Sequence, residues 1–216
     1  MEQVSGSGTA LKKWEEIHAA RHKKRENIRC DDWLYAFRGY IDRCGTPILD
    51  LGCGGGNNTL YLTERGKVVI PCDYSTNAIT RIKKNFPEVQ RAECFDMAEG
   101  LPFEDDFTDI VIADLSLHYF SDETTFYVLN EIKRVLRPDG ILLFRVNSVS
   151  DTRYGAGEGV EIERHFYQSA DGRQKRFFDR QDIDHFFEYW DLFCLEEDIV
   201  MRYEHPKQVW KGAAKL

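Results

Sequence analysis

The chain has 216 residues, 42% of them hydrophobic and 31% charged, with a net charge of −8 at pH 7. That length buries one substantial core, and the balance of residues is that of a water-soluble globular protein. The negative charge speaks against holding a polyanion by electrostatics alone, so no nucleic-acid partner is expected. No run approaches the roughly 18 apolar residues of a membrane span. The start, Ser5-Gly6-Ser7-Gly8 and then a charged stretch, lacks the apolar region of a signal peptide. A cytoplasmic protein without membrane contact is the expectation, with oligomeric state open. Six cysteines, at positions 30, 44, 53, 72, 94 and 194, make no C-x-x-C pair and no metal-ligand spacing. Buried, reduced thiols and no metal follow, with a catalytic cysteine as the alternative.

Leu11, Trp14 and Ile17, then Trp33, Leu34 and Phe37, make two apolar stripes that predict two helices before the first strand. The charges from Arg21 to Arg25 read as a basic patch or as a solvated helix face. Ile48 to Leu51 is a short apolar run, read as a buried strand, and it contains Asp50. Gly52, Gly54 and Gly56 follow, where any Cβ would intrude on a sharp turn or a close ligand. Asn57 or Asn58 then caps a helix. The second strand, Val68 to Asp73, also ends in an acid, where a nucleotide-binding βαβ unit reaches ribose hydroxyls. A helix from Ser75 buries Ile79, Ile82 and Phe86, and Pro87 stops it. A third segment, Arg91 to Phe95, ends at Asp96. Thr108 to Ala113 forms a fourth strand, leading into Asp114-Leu115-Ser116-Leu117-His118-Tyr119. A helix from Ser121, with Val128 or Leu129, Ile132 and Val135 or Leu136 on one face, ends before Pro138. Ile141 to Val146 is the fifth strand, interrupted by Arg145.

The pattern D-x-G-x-G-x-G over Asp50 to Gly56 resembles motif I of the class I S-adenosylmethionine-dependent methyltransferases. Acids at 73 and 96, the segment after the fourth strand and the Leu136-Arg137-Pro138-Asp139-Gly140 turn resemble further family motifs, in order, over residues 46–148. Asp139 stands where the family has a glycine. A dinucleotide fingerprint differs, since its third glycine would fall on Asn57, and this speaks against a dehydrogenase. The resemblance implies a Rossmann-like, doubly wound, seven-stranded, mostly parallel α/β sheet with an antiparallel edge. It implies S-adenosyl-L-methionine as cofactor, held by Asp50, Gly52, Cys53, Gly54, Gly56, Asn57, Asp73, Tyr74, Asp96, Met97, Asp114 and Leu115. Asp73 would take the ribose, Asp96 the adenine amino group, and Met97 the face of the ring. The compact size and the continuation after motif I are similar to small-molecule methyltransferases of the tellurite-resistance and thiol-directed group.

One domain is expected over 1–216: N-terminal helices to 45, the cofactor-binding core over 46–148, a substrate-cover insert over 149–178, and a helix with closing strands over 179–216. Within the insert, residues 163–167 and 174–178 pair as a hairpin across Asp171-Gly172, and Gly155, Gly157 and Gly159 would let it move as a lid. A helix from about Asp179 to Trp190 follows, then strands near Leu195–Tyr203 and Val209–Lys215. Methyl transfer from a sulfonium is an in-line displacement that depends on orientation and needs a base only if the acceptor holds its proton. The catalytic candidates are His118, Tyr119, Arg164 and His165. His118 is either a general base or a packed histidine; Arg164 and His165 either bind a substrate anion or decorate a surface. Tyr154 either covers the pocket or packs. Arg145 needs a buried carboxylate or a substrate anion as partner. Trp14 and His18 either cap the methionine end of the cofactor or pack. The acceptor expected is a small molecule with a soft or anionic nucleophile, methylated by this enzyme. The alternatives are a non-catalytic cofactor-binding domain or a macromolecular acceptor.

Overall fold

The structure is a computed structural model in which residue 28 and residues 31–216 are described. Strands β1 (Ile48–Leu51), β2 (Val69–Asp73), β3 (Glu93–Cys94), β4 (Thr108–Asp114) and β5 (Leu136–Asn147) run parallel to one another. β10 (Lys207–Lys215) pairs antiparallel with both β5 and β9 (Asp191–Val200), giving one seven-stranded sheet in the order β3-β2-β1-β4-β5-β10-β9. This is the doubly wound sheet with an antiparallel edge that the motifs implied.

Alternation along the strands sends side chains to opposite faces and divides the core. Leu49, Leu51, Val111, Leu142 and Phe144 fill one side, while Ile48, Ile110, Ile112 and Leu143 fill the other with Trp33, Leu34 and Phe37. Helices α1 (Arg38–Arg43), α2 (Asn57–Glu64), α3 (Thr76–Asn85), α4 (Asp122–Val135) and α5 (Arg180–Phe186) connect and cover these faces. Ser75 and Ser121 cap α3 and α4 through their side chains, and Asp179 with Asp182 forms a full capping box on α5.

Several local expectations change. The stripe at Trp33 starts as a 3₁₀ turn, Trp33–Phe37, before α1. The stripe at Leu11, the basic run at Arg21 to Arg25, Trp14, His18 and Cys30 lie outside the described residues. Gly56, not Asn57 or Asn58, is the residue before α2, and Asn58 turns inward instead. Cys53 and Cys72 are buried as expected, but Cys94 is exposed because β3 is the short edge strand. Asp139 does adopt the left-handed conformation of the glycine it replaces, with φ 65°.

The insert forms its own three-stranded sheet: β6 (Val160–Glu163), β7 (Phe166–Gln168) and β8 (Gln174–Arg176). The β7–β8 hairpin across Asp171-Gly172 matches the turn chemistry, while β6 had no clear period-2 signal. Phe166, Phe177 and Phe178 are fully buried. Lys207, itself buried, pairs with Asp151 at 2.8 Å and ties the start of the insert to β10. Gly159 is packed rather than loose, since a Cβ there would sit 2.4 Å from the Gln168 carbonyl oxygen. The insert is thus anchored at both ends by apolar burial and ion pairs.

Candidate active site

A cleft of about 680 Å³ opens beyond the carboxyl ends of β1, β2 and β4, where open α/β sheets bind ligands. Gly52 and Gly54 have φ 73° and 49°, so the loop after β1 turns in a way that β-carbon-bearing residues resist. A Cβ on Gly52 would sit 2.5 Å from that of Ser116, so the loop lies directly on the segment after β4. At Gly54 and Gly55 an added Cβ would meet no side chain within 4 Å; both line the cleft and leave a bare backbone cradle. Gly56 does not line it. A Cβ there would meet Phe86 and Ile82 at 2.6 and 2.8 Å, so this glycine seats α2 on α3.

Asp50 also lies behind the cleft rather than in it. Its carboxylate accepts from Asn58 Nδ2 at 3.1 Å and Thr59 Oγ1 at 3.0 Å, and Trp33 Nε1 donates to Asn58 Oδ1 at 3.0 Å. Burial pushes the Asp50 carboxyl up to about 6, against the lowering effect of those two hydrogen bonds. Its role is to fix the first turn of α2 beneath the glycine loop.

The other motif residues do converge. Asp73 accepts from the backbone N–H of Gly54 and of Ser75, both at 2.9 Å, so it fastens the loop while lining the cleft. An ionised carboxylate has about four acceptor sites, which leaves room for ligand hydroxyls. Asp96 caps a short 3₁₀ turn at Met97–Glu99, with Tyr74 and Met97 beside it on the same wall. Cys53, Asn57 and Leu115 also line the cleft. Burial drives the Cys53 thiol far above its ordinary range, so it stays protonated and inert. Leu115 has φ 56° and packs on Val200 and Val209, a strained conformation of the kind found at ligand sites.

Asp114 is the cleft member with the most elaborate support. Arg145 Nε and Nη2 donate to its two oxygens at 2.7 and 2.9 Å, and Arg202 donates through Nη1 and Nη2 at 3.0 Å. Asp31 takes the remaining side of Arg145 at 2.9 Å, and the guanidinium lies 4.7 Å from the Trp33 ring centroid. Burial alone would raise the Asp114 carboxyl, but the two guanidiniums overcome it and hold it below the ordinary value. Arg145 is therefore a structural partner, and it does not face the cleft.

Of the four catalytic candidates, only Tyr119 reaches the cleft. His118 is 2% exposed and turned inward; burial, reinforced by Lys207 and Lys175, holds its imidazole well below the ordinary value, so it is neutral. Its position in the 3₁₀ turn Leu117–Tyr119 alternates it with Tyr119, which the sequence alone does not reveal. Arg164 and His165 form the turn between β6 and β7 and do not line the cleft. Arg164 Nε pairs with Asp182 at 2.9 Å, and His165 Nδ1 lies 2.7 Å from the same carboxylate, so both serve the α5 capping box. Tyr154 donates its hydroxyl to the His205 carbonyl at 2.9 Å instead of covering the cleft.

Part of the cleft lining comes from residues the motifs did not flag: Phe120, Arg173, Gln174, Arg202 and Tyr203. One signal was available. Arg202 ends an apolar stretch much as Arg145 interrupts one, and two buried arginines ask for shared carboxylates.

The family of methyltransferase domains matches residues 49–144. An uncharacterized methyltransferase of Synechocystis is 36% identical over 97 residues, covering 45% of each chain. A tRNA N(3)-methylcytidine methyltransferase of Drosophila melanogaster is 33% identical over 150 residues, covering 63% of this chain and 45% of the relative. The chain thus spans less than half the length of these curated relatives. Among solved structures, the 1,6-didemethyltoxoflavin-N1-methyltransferase of Burkholderia thailandensis superposes with a TM-score of 0.65 at 18% identity, covering all of this chain and 92% of the other. Sheet order, bare glycine cradle and flanking acids together define a class I methyltransferase fold. Residues 49–144 form a methyltransferase domain of the class I S-adenosylmethionine-dependent type, with S-adenosyl-L-methionine as its cofactor. When bound, that cofactor supplies a methyl group on a cationic sulfur. Among the described residues, no helix is long and apolar enough to cross a membrane.

Proposed function

We propose that the chain is an enzyme that methylates a small molecule whose accepting atom needs no deprotonation, a soft or anionic nucleophile such as a thiolate, selenide or tellurite-derived species. Asp73 would hold the cofactor's ribose, Asp96 the adenine amino group, and Tyr74 with Met97 the ring faces. The observation that carries the acceptor reading is the absence of a histidine among the described residues lining the cleft. Two of the groups that line it are shifted away from neutrality: burial, reinforced by Tyr203, pushes the Tyr119 phenol up, and Asp114 is held down by arginines. A tuned general base contributes roughly 10²–10⁴-fold for protonated acceptors, and the described lining offers no histidine for that task. For an anion or a soft lone pair, orientation and the arginine-flanked wall suffice.

The test is turnover of S-adenosylmethionine against thiols, chalcogen anions, small amines and phenols, with pH–rate profiles. Activity on thiols or chalcogen anions, with no enzyme limb near pH 6–7, is expected. A phenol or alcohol as best substrate, with such a limb abolished in His118→Ala, refutes it. Binding of the cofactor with no turnover on any acceptor would leave a non-catalytic binding domain.

A second reading is favoured by the Drosophila melanogaster relative, which is named for methylating tRNA. The net charge of −8 weighs against it. An unmodified tRNA transcript in the same assay, with the salt dependence of its binding, separates the two.

A further inference from the structure

Two tyrosines stand in the cleft with their rings uncovered. Tyr119 is 56% exposed and Tyr203 is 36% exposed, and both line the cleft. Exposed aromatic rings gathered at a concave site mark a binding surface more often than chance placement does. Each of these rings is braced by neighbours, Tyr203 also by the Arg202 guanidinium 5.3 Å and the Lys207 ammonium 5.9 Å from its ring centroid. Tyr119 packs against the buried His118 ring, with centroids 4.2 Å apart and the planes tilted by 47°. Tyr203 packs against Tyr154 at 5.9 Å, and Arg202 Nη2 donates to its hydroxyl oxygen at 3.3 Å. Arg202 is in turn fixed by Asp114, so the ion network that looks purely structural also orients an aromatic wall. Both tyrosines line the same cleft, and burial, with Tyr203 beside it, raises the Tyr119 phenol. Gln174, at the tip of the inserted hairpin, presents an exposed amide to the same space.

We propose that Tyr119 and Tyr203 are the two walls of a slot for a planar aromatic acceptor, with the methyl-accepting atom carried on or in the ring. This rests on the reading of the cleft as a small-molecule methyltransferase site. Aromatic pairs prefer offset or edge-on contacts with centroids about 4.5–7 Å apart, so a ring between two walls gains from both. The braced sides preorganise the walls, which lowers the ordering cost of binding. Arg173 and Arg202 line the same space and suit an acceptor carrying negative charge. The transfer balances without a further reactant. A lone pair on the acceptor's sulfur or ring nitrogen forms the new bond to the methyl carbon, the carbon–sulfur bond of the sulfonium breaks, and its pair stays on the departing sulfur.

Two probes isolate planarity from nucleophilicity: phenylmethanethiol and cyclohexylmethanethiol present the same kind of sulfur on a flat and on a puckered ring. Binding of each to the protein saturated with S-adenosylhomocysteine is measured by calorimetry, alongside methylation of each with S-adenosylmethionine. The flat thiol should bind roughly 2- to 12-fold tighter, the range of an aromatic pair beyond area burial. Tyr119→Leu and Tyr203→Leu, which keep bulk but remove the ring, should each shrink that preference, while Tyr119→Phe and Tyr203→Phe should keep it. Affinity for S-adenosylhomocysteine should stay within about twofold in all four, which shows that the fold survives. Equal binding of the two thiols by the wild type, or a preference that survives both leucine variants, overturns the slot. If both thiols are methylated equally with no binding preference, the slot falls while methyl transfer to soft nucleophiles stands. If the binding preference follows the tyrosines but neither thiol is methylated, the slot stands and the thiol-directed reading falls.

Discussion

Asp50 makes a pH-dependent contribution to stability that one substitution isolates. It is 1% exposed and its carboxyl is raised from an ordinary 3.8 to about 6 by burial. An acid whose folded value lies above its unfolded value favours the folded state while protonated. The folded state therefore binds more protons between pH 3.8 and about 6, and stability from this group falls as pH rises through that window. At 1.36 kcal/mol per pH unit, the full effect above pH 7 is about 3 kcal/mol of destabilisation. Asp50→Asn removes the titration. Its carbonyl still accepts from Asn58, and the Thr59 hydroxyl rotates to accept from the new amide, so the remaining change is pH-independent and of order 1 kcal/mol in either direction. Urea unfolding of wild type and variant at several values from pH 4 to 7.5 gives the difference in stability at each, and other carboxylates cancel in it. The difference should move in favour of Asp50→Asn by about 2–3 kcal/mol between the ends of the series. A flat difference, or one moving toward the wild type as pH rises, refutes the assignment of a buried, strained carboxylate beneath the glycine loop.

Asp73→Ala should weaken S-adenosylhomocysteine binding by about 1–3 kcal/mol in calorimetry, because both its loop bonds and a ligand acceptor are lost; a change within about twofold removes the ribose assignment. Arg145→Leu should cost about 3–5 kcal/mol of unfolding free energy, since Asp31 and Asp114 lose their buried partner, and a loss below about 1 kcal/mol would show that Arg202 alone carries the network. His118→Ala should keep turnover of a thiol within about tenfold and leave the pH–rate profile unchanged, because its neutral ring lies behind the cleft; a vanished limb near pH 6–7 would make it the base.

The local code of this chain was enough to specify the sheet and the glycine-loop side of the cleft. Acids and glycines at the ends of β1 and β2 act through backbone geometry within a few residues, and strand alternation with capped helices fixes which ends meet. Residues such as Asp73, Asp96 and Met97 reach the cleft for that reason. Where a side chain points within a tight turn is a different matter. His118 and Tyr119 are adjacent in sequence, yet packing beneath the insert buries one and exposes the other. Arg164 and His165 were expected on a strand paired across Asp171-Gly172, but they form the turn between β6 and β7, where the α5 capping residues Asp179 and Asp182 claim them. The wall of the cleft formed by Arg173, Arg202 and Tyr203 comes from two segments about thirty residues apart, brought together only when β10 inserts between β5 and β9. Short-range hydrogen bonding is written in the order of the residues. The pairing of Arg202 with Asp114, 88 positions apart, is decided by burial in the folded state, where an unpaired charge is too costly to persist.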